Sequence, residues 1–544
     1  MKIIVIVLTL LFIPVHVIRA QTSNQPTPPI TPRWAFNQFI WEDSVNTQSA
    51  ALRLVDGYKE HHLPVGGIII DSPWSTAYNN FEWDTNRYPH PQKMLNQLTD
   101  QHVKTILWLT GAVNLTSSDV PISKAPQYNY VEEHHYAINN GKPSKWWKGK
   151  GVHIDFTNDE AVKWWYSQLD KVFGKGIYGW KVDQAEVYFG DTVQTSRGKM
   201  PNEDFRPYYY NSMYHYTTSR KSEGIILGRP FSHQGGYEAA VDQLSLGWCG
   251  DFEGSWSGLK NQIYDIYKSV ERGYGAPGTE VGGFYGASPG KEELIRYAQF
   301  GAMTATMING GSNGAFTNHL PWYHDRETLQ AYQKAAWLHT QLIPYLFSTV
   351  VDAHKKGGSL LKNVSYEEQS HQIGNYLFTK AIVSPGHNVK FHLPDKGNWV
   401  DFWTGKKYKE GSVVTKTYTL QHFPLFVKSG AIIPLNISNN YSPLGDSTLA
   451  GKQTILIYPD GQSAYVYHHP TGDGTNYRDV HLSYDEKEGQ LNVDALESES
   501  YVFIFKGIQK PKQVSEADSW SYKKGDQMLK IQKKGKTFGV RLTY

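Results

Sequence analysis

The feature that most constrains the fold is an alternation of short apolar runs and helical segments between residues 33 and 350. Eight runs have the composition of strands, and segments with helical apolar spacing separate most of them. The runs are RWAFNQF, VGGIIID, VKTILWLT, IYGWKVD, GIILGRPF, QLSLGWCGD, YGAPGTEVGGF and MINGG. Repeated βα units form parallel sheets, and eight of them close into a barrel. The sequence therefore predicts an α/β chain with a (β/α)8 TIM barrel over residues 33–350.

The remaining parts of the chain differ from this alternation. Residues 111–176, between the third and fourth runs, are too many for a plain loop and predict a small inserted subdomain. After residue 350, short alternating strands with Gly and Asp turns predict C-terminal antiparallel β-sandwich domains. We place a proximal sandwich at residues 351–436 and a distal sandwich at residues 437–544.

The N-terminus predicts export from the cytoplasm. Residues 1–20 contain one early lysine, a long apolar run and Ala20 at the end, as a secretory signal peptide does. Pro14 and His16 interrupt this run, which makes it a poor membrane span. Residues 21–32 form a Pro-rich linker. We therefore expect a secreted or periplasmic protein without a membrane span after signal cleavage, and Cys249 as its single cysteine leaves no internal disulfide.

Charge and aromatic content limit the class of partner. The 54 basic and 51 acidic residues nearly balance, and no basic tract suggests nucleic acid, so we exclude that partner. Aromatic residues make up 14% of the chain, which is compatible with a large core and also with sugar binding, because a pyranose has an apolar face that stacks on a ring. An oligosaccharide or another glycoside is the expected partner, and the oligomeric state stays open.

Polar and aromatic residues gather at the ends of the predicted strands, where a barrel carries its catalytic groups. Each has a structural explanation when taken alone: a turn cap, a loop anchor or a core side chain. Taken together, three carboxylates, an arginine and several aromatic residues suit glycoside cleavage, which needs one ionised and one protonated carboxyl beside the bond. The residues are Asp71, Trp108, Asp183, Arg229, Trp248, Asp251 and His319 or its neighbours.

Several motifs, in the expected order, resemble glycoside hydrolase family 31, the retaining α-glycosidases. GWKVDQAE resembles the nucleophile segment of that family in its Lys-x-Asp form. GRPF, WCGD and TEVGGF resemble its later barrel motifs, and NWVDFWTGKKY and FPLFVKSGAIIPL resemble its post-barrel sandwich. The resemblance covers roughly residues 33–436.

The resemblance implies a double displacement and a role for each matching residue. Asp183 matches the nucleophile and Asp251 the acid/base. The residues that match substrate-binding positions are Asp71 and Lys181 for sugar hydroxyls, Arg229 beside the nucleophile, Trp108, Trp248 and Phe284 as aromatic walls, and His319, with His324 as the competing histidine. No metal and no cofactor is implied.

Two departures from the family pattern bear on specificity. TEVGGF has Glu280 where the family more often has aspartate. The family usually carries a β-sandwich before the barrel, whereas about a dozen residues separate the predicted signal peptide from the first predicted strand. We therefore expect a more open cleft on the side of the leaving group.

The expected function is that of a secreted, exo-acting retaining α-glycosidase. The Lys-x-Asp form resembles α-galactosidase and α-xylosidase members more than starch-type α-glucosidases, so we place α-galactosides first, with α-xylosides and α-glucosides as alternatives. A transglycosylase could use the same covalent intermediate. A non-catalytic carbohydrate-binding protein is the alternative from another class, and the presence of both Asp183 and Asp251 opposes it.

Overall fold

The first half of the chain contains a closed barrel of eight parallel strands. The computed structural model describes residues 26–312, 319–441 and 444–544, and the predicted signal peptide lies outside them. The strands are Phe39–Trp41, Gly67–Ile70, Lys104–Leu109, Ile177–Val182, Ile225–Gly228, Leu246–Trp248, Pro277–Val281 and Met307–Asn309. The predicted (β/α)8 TIM barrel is confirmed.

Seven α-helices of the described chain follow barrel strands. They are Gln48–Glu60, Pro91–Asp100, Asp159–Leu169, Asn202–Arg220, Trp256–Arg272, Lys291–Gly301 and Arg326–Lys356. Side-chain caps explain where several begin: Asn158 accepts from the backbone N–H groups of Glu160 and Ala161, and Ser255 accepts from that of Gly258. The fifth strand is followed by a short antiparallel pair, Phe231–Ser232 with Gly236–Tyr237, in place of a helix.

The first strand begins later than the run RWAFNQF suggests. Arg33–Phe36 form a 3-10 turn, and Asn37 closes it by donating a side-chain hydrogen bond of 2.8 Å to the carbonyl of Trp34. The strand is Phe39–Trp41, so its carboxyl end lies two residues further along the chain than the run.

The insertion after the third strand is smaller than residues 111–176. It contains a three-stranded antiparallel sheet of Ala112–Thr116, Gly149–His153 and Ser144–Trp146. The helix Asp159–Leu169 lies within the predicted range but belongs to the outer layer of the barrel, because Tyr166 donates a 2.9 Å hydrogen bond to the carbonyl of Ser212 on the next outer helix. The inserted sheet therefore ends before this helix.

The proximal sandwich consists of two sheets that pack around one apolar cluster. A six-stranded sheet consists of Leu361–Ser365, Ser370–Ile373, Leu377–Lys380, Leu425–Lys428, Trp399–Asp401 and Lys407–Tyr408, and a two-stranded sheet of Asn388–His392 and Val413–Thr417. Two elements cross the predicted boundaries. The helix Arg326–Lys356 continues past residue 350, and the strand Ile432–Leu435 pairs with Gln453–Ile457 of the distal sheet.

The distal domain is one eight-stranded, mostly antiparallel sheet bent over its own apolar cluster. Its two longest strands, Gln490–Lys506 and Met528–Thr543, shift register between Asp494 and Glu499, and this irregularity bends the sheet. Its other strands are Ile432–Leu435, Gln453–Ile457, Gln462–Pro470, Tyr477–Asp485, Gln513–Ser515 and Ser519–Lys523. No helix within the described residues has the length and apolarity needed to cross a membrane.

Candidate active site

A cavity of about 290 Å³ opens at the carboxyl ends of the barrel strands. Seven of the predicted site residues line it: Asp71, Trp108, Lys181, Asp183, Arg229, Asp251 and Phe284. The other described residues that line it are Trp41, Asp43, Ser72, Trp147, Lys148, Gln184, Tyr188 and Gln234. Residues from seven barrel strand ends and from the insertion therefore meet in one pocket.

Asp183 follows the strand Ile177–Val182 directly, and its carboxylate accepts four hydrogen bonds. Oδ1 accepts from the backbone N–H of Gln184 at 2.8 Å, and from Nη2 and Nε of Arg229 at 2.9 and 3.2 Å. Oδ2 accepts from the indole nitrogen of Trp108 at 3.0 Å. Donors on both oxygens hold the carboxylate in one orientation, as a nucleophile requires.

Asp251 has the opposite electrostatic environment. Its Oδ2 lies 3.5 Å from Nη2 of Arg229, and 23% of its side chain is exposed to the cavity. Burial raises the pKa of Asp251, and the Asp183 carboxylate adds to this effect, so that together they outweigh the lowering by Arg229. A carboxyl that keeps its proton beside an ionised one is suited to act as a general acid.

Asp71 and Lys181 form a buried ion pair on the floor of the cavity. Nζ of Lys181 lies 2.9 Å from Oδ2 of Asp71, and the backbone N–H of Ser72 donates to Oδ1 at 2.7 Å. Burial lowers the pKa of Lys181, but the carboxylates of Asp71 and Asp183 outweigh it and the pKa is raised overall. A charged donor and a charged acceptor are thus held side by side at the base of the pocket.

Trp248 lies below these cations, outside the lining of the cavity. Its ring is fully buried, with Nζ of Lys181 4.3 Å and the guanidinium carbon of Arg229 4.1 Å from its centroid. The resemblance implied a sugar-facing wall, whereas the ring supports the two cations through cation–π contacts. The observed walls are Trp108 and a stacked pair, Trp41 with Phe284, whose centroids lie 5.5 Å apart at 9°.

His319 is buried beside two glycines. It does not belong to the described residues that line the cavity. A Cβ added to Gly282 or Gly311 would lie 3.0 or 2.9 Å from its ring. Burial lowers the pKa of His319 to about 4, so the ring is neutral. His324 lies at the start of the outer helix Arg326–Lys356. The role of a histidine in sugar binding therefore stays a prediction.

Asp43 and its neighbour Trp41 are site residues that the sequence reasoning missed. Asp43 lies two residues beyond the first strand, and placing that strand at RWAFNQF hid the strand-end signal. Burial raises the pKa of Asp43 to about 7, with Asp71 adding to the increase and Lys148 opposing it. Asp43 is thus a fourth carboxyl in the lining of the cavity, and its charge can change near neutral pH.

Other buried carboxyls support the strand ends from outside the cavity. Burial, and then the charge of Glu238, raises the pKa of Glu186 to about 8. Glu280 is fully buried on the strand Pro277–Val281, where burial and then Asp251 raise its pKa well above the usual range. Glu253, two residues after Asp251, is exposed instead.

Comparison with known proteins identifies the family. The model of the glycosyl hydrolases family 31 TIM-barrel domain matches residues 28–349, and that of the family 31 C-terminal domain matches residues 350–433. An isomaltosyltransferase of Sporosarcina globispora is 24% identical over 89% of this chain and 49% of its own length. Alpha-glucosidase 2 of Bacillus thermoamyloliquefaciens is 23% identical over 84% of this chain and 61% of its own length. The chain thus spans about half to three fifths of the length of these curated relatives.

Solved structures share the fold. The cycloalternan-forming enzyme from Listeria monocytogenes has a TM-score of 0.83 at 21% identity, covering 95% of this chain and 55% of its own. A family 31 dextranase from Flavobacterium johnsoniae has a TM-score of 0.82 at 18% identity, covering 95% and 71%. With the barrel model matching more than half of the residues, the chain belongs to glycoside hydrolase family 31.

Proposed function

We propose that the protein is a secreted, exo-acting retaining α-glycosidase that works through a covalent glycosyl–Asp183 intermediate. One observation carries the proposal: a single guanidinium nitrogen of Arg229 contacts both carboxyls. It lies 2.9 Å from Oδ1 of Asp183 and 3.5 Å from Oδ2 of Asp251, so this one pair of carboxyl oxygens is at most about 6.4 Å apart. Retaining enzymes hold their carboxyl groups about 5–5.5 Å apart and inverting ones about 6.5–9.5 Å.

The electrostatics support both steps of the reaction. Asp183 attacks the anomeric carbon while Asp251 donates its proton to the departing oxygen. The resulting ester on Asp183 is neutral, which removes one of the charges that raise the pKa of Asp251. Asp251 then loses its proton more readily and acts as a base towards water. The two roles of Asp251 follow from the charge on its neighbour.

The substrate assignment rests on the shape and charge of the pocket. Asp183 is largely buried at the base of a cavity walled by aromatic rings, which favours attack on a terminal sugar. The Lys181–Asp71 pair offers a donor and an acceptor to sugar hydroxyls. We place α-galactosides first because of the Lys-x-Asp motif, and α-glucosides and α-xylosides next. Relatives named alpha-glucosidase and alpha-xylosidase support the latter two.

Transfer to a sugar acceptor is the second candidate. It is favoured by the similarity to an isomaltosyltransferase and to a cycloalternan-forming enzyme. Hydrolysis and transfer share the Asp183 intermediate and differ only in whether water or a sugar hydroxyl intercepts it.

Export is supported by the composition of residues 1–20.

A panel of p-nitrophenyl α-glycosides, assayed with and without sugar acceptors, tests the assignment. We expect hydrolysis of at least one α-glycoside, with the α-anomer of the sugar as the first product in proton NMR. Transfer products in the presence of acceptors would establish the second candidate. A β-anomer as the first product would contradict the retaining mechanism, and inactivity on the whole panel would support a carbohydrate-binding role.

Two variants separate the roles of the aspartates. Asp183→Asn should abolish activity on all substrates, because no covalent intermediate can form. Asp251→Ala should still react with glycosyl fluorides, whose leaving group needs little protonation, and azide should restore its turnover because azide needs no base. The expected product is an α-glycosyl azide. A β-configured azide, or the absence of any rescue, would contradict this division of roles.

A further inference from the structure

The inserted sheet brings a hairpin turn to the mouth of the cavity. Trp147 and Lys148 are the two residues between the strands Ser144–Trp146 and Gly149–His153, whose last pair is Trp146 with Gly149. Both turn residues line the same cavity as the two catalytic aspartates. The mechanism described above assigns neither of them a role.

The base of this hairpin is anchored to the wall of the active site. The indole of Trp146 donates to Oδ1 of Asn114 at 2.7 Å, and Nδ2 of Asn114 donates to the carbonyl of Lys148 at 2.9 Å. The ring of Trp146 meets Tyr78 edge-on at 5.7 Å, and Tyr78 meets Trp108 edge-on at 5.9 Å. The turn is therefore positioned relative to Trp108, which donates to Asp183.

Lys148 is also held in place by charge. Its Nζ lies 3.1 Å from Oδ2 of Asp119, the same oxygen that accepts a 2.9 Å hydrogen bond from the hydroxyl of Tyr78. The Asp43 carboxyl also interacts with this ammonium. The negative charges of these two carboxyls compensate the positive charge of Lys148, which favours a neutral ligand at this part of the cavity.

Trp147 and Tyr188 face each other at this mouth, and much of each ring is exposed. Their exposed fractions are 43% and 48%, and their centroids lie 5.3 Å apart at 59°. Tyr188 lies on the 3-10 turn Glu186–Phe189, which begins three residues after Asp183. Large exposed rings beside polar groups are suited to a neutral sugar, whose apolar face stacks on a ring while its hydroxyl groups meet the polar side chains.

We propose that Trp147 and Tyr188 form the subsite for the leaving-group sugar, and for the acceptor sugar when transfer occurs. The inference rests on the proposed glycosidase function and narrows its substrate to α-linked di- or oligosaccharides, in which a neutral pyranose follows the bond that is cleaved. Lys148 and Asp43 border the same space and offer a donor and an acceptor to the hydroxyl groups of that sugar.

Comparing two substrates with the same terminal sugar isolates this subsite. An α-linked disaccharide fills it, whereas the matching α-glycosyl fluoride leaves it empty. We expect Trp147→Ala to lower kcat/KM for the disaccharide about tenfold or more, as loss of a central aromatic contact does. The kcat/KM of the same variant for the fluoride should stay within about twofold of the wild-type value. Trp147→Phe, which retains a ring, should recover most of the disaccharide activity. Tyr264→Ala removes an equally exposed ring on an outer helix and should change neither value.

The partition of the intermediate gives a second readout. With the fluoride as donor and a disaccharide as acceptor, Trp147→Ala should release fluoride at the wild-type rate and form less transfer product. Tyr188→Ala should behave alike. Equal losses on fluoride and disaccharide, or no loss on either, in both variants would overturn the subsite. A wild-type enzyme that cleaves no α-glycosyl fluoride would instead overturn the proposed function itself, so the two failures are distinguishable.

Discussion

At the scale of single residues, Asp71 and Lys181 serve both stability and substrate binding. Asp71→Ala should abolish most activity and also destabilise the fold by about 3–5 kcal/mol, because it leaves the buried Lys181 ammonium without its 2.9 Å partner. The double variant Asp71→Ala/Lys181→Met should regain much of the lost melting temperature, because no charge is left unpaired. It should regain none of the lost activity. Calorimetry and kcat/KM on the best glycoside measure the two effects. Recovery of activity in the double variant would reduce the pair to a structural role.

Asp43 should give the enzyme an acidic limb in its pH profile. Its pKa is raised to about 7, by burial first and then by Asp71 and Asp251, against Lys148 and Lys181. As pH rises through 7 the carboxyl ionises, and the added negative charge stabilises the positively charged oxocarbenium-like transition state. We expect kcat/KM to rise across this range in the wild type and to stay flat in Asp43→Asn, at the low-pH value of the wild type.

The control for this profile is the alkaline limb, which belongs to Asp251. Because the pKa of Asp251 is raised, kcat/KM should fall when this acid loses its proton at higher pH, and Asp43→Asn should retain that fall. An unchanged acidic limb in Asp43→Asn would show that another group titrates near pH 7.

The sequence located residues that directly follow a strand, and it could not tell which way their side chains point. Asp183 comes immediately after a buried strand, so a carboxyl at the barrel mouth was predictable. Trp248 also ends a strand, but alternate residues of a strand face opposite sides. A shift of one residue therefore decides whether the ring faces the sugar or packs beneath the two cations. The missed Asp43 has a similar cause, because its strand begins six residues later than the run RWAFNQF.

At the scale of elements, the hairpin that carries Trp147 depends on one glycine. Gly149 has a φ of +133°, and a Cβ there would lie 2.0 Å from the carbonyl oxygen of Thr116. Gly149→Ala should therefore displace the turn and lower kcat/KM for α-linked disaccharides at least as much as Trp147→Ala does. Activity on the matching glycosyl fluoride should persist, because Asp183 and its donors lie outside the hairpin.

Gly141→Ala is the matched control for that variant. Gly141 lies in the same insertion with a φ of +75°, and an added Cβ would have no heavy atom within 4 Å. It should keep the wild-type activity on both substrates. Equal loss of disaccharide activity in Gly141→Ala and Gly149→Ala would mean that the insertion acts through general stability and not through the position of its turn.

Local periodicity explains which elements were predictable. Each βα unit is specified by spacing within a short stretch, so the barrel followed from the sequence. The end of the insertion did not, because the helix Asp159–Leu169 has the same amphipathic spacing whether it covers the barrel or an inserted sheet. The domain boundary near residue 436 shifted for a related reason: the apolar strand Ile432–Leu435 fits either sheet, and only its pairing with Gln453–Ile457 assigns it to the distal one.

At the scale of the whole molecule, the distal domain is part of the support of the barrel. Its residues Leu456, Tyr458, Val502 and Ile504 belong to the same buried apolar cluster as the barrel strands and the helix Arg326–Lys356. Contiguous burial of this kind couples the unfolding of the two parts, because neither can separate without exposing apolar surface to water.

A chain that ends at Ser429 should therefore fail to form a soluble, active barrel. The deletion removes the apolar cover of the long helix, the hydroxyl of Tyr465 that donates to Ser348 at 2.9 Å, and the carbonyl of Gly474 that accepts from the backbone N–H of Arg33 at 2.9 Å. Solubility and activity on a glycosyl fluoride measure the outcome. In the full chain the same coupling should make loss of activity and calorimetric unfolding coincide in one transition. An active truncated chain, or a distal domain that melts separately while activity persists, would show that the barrel is stable without it.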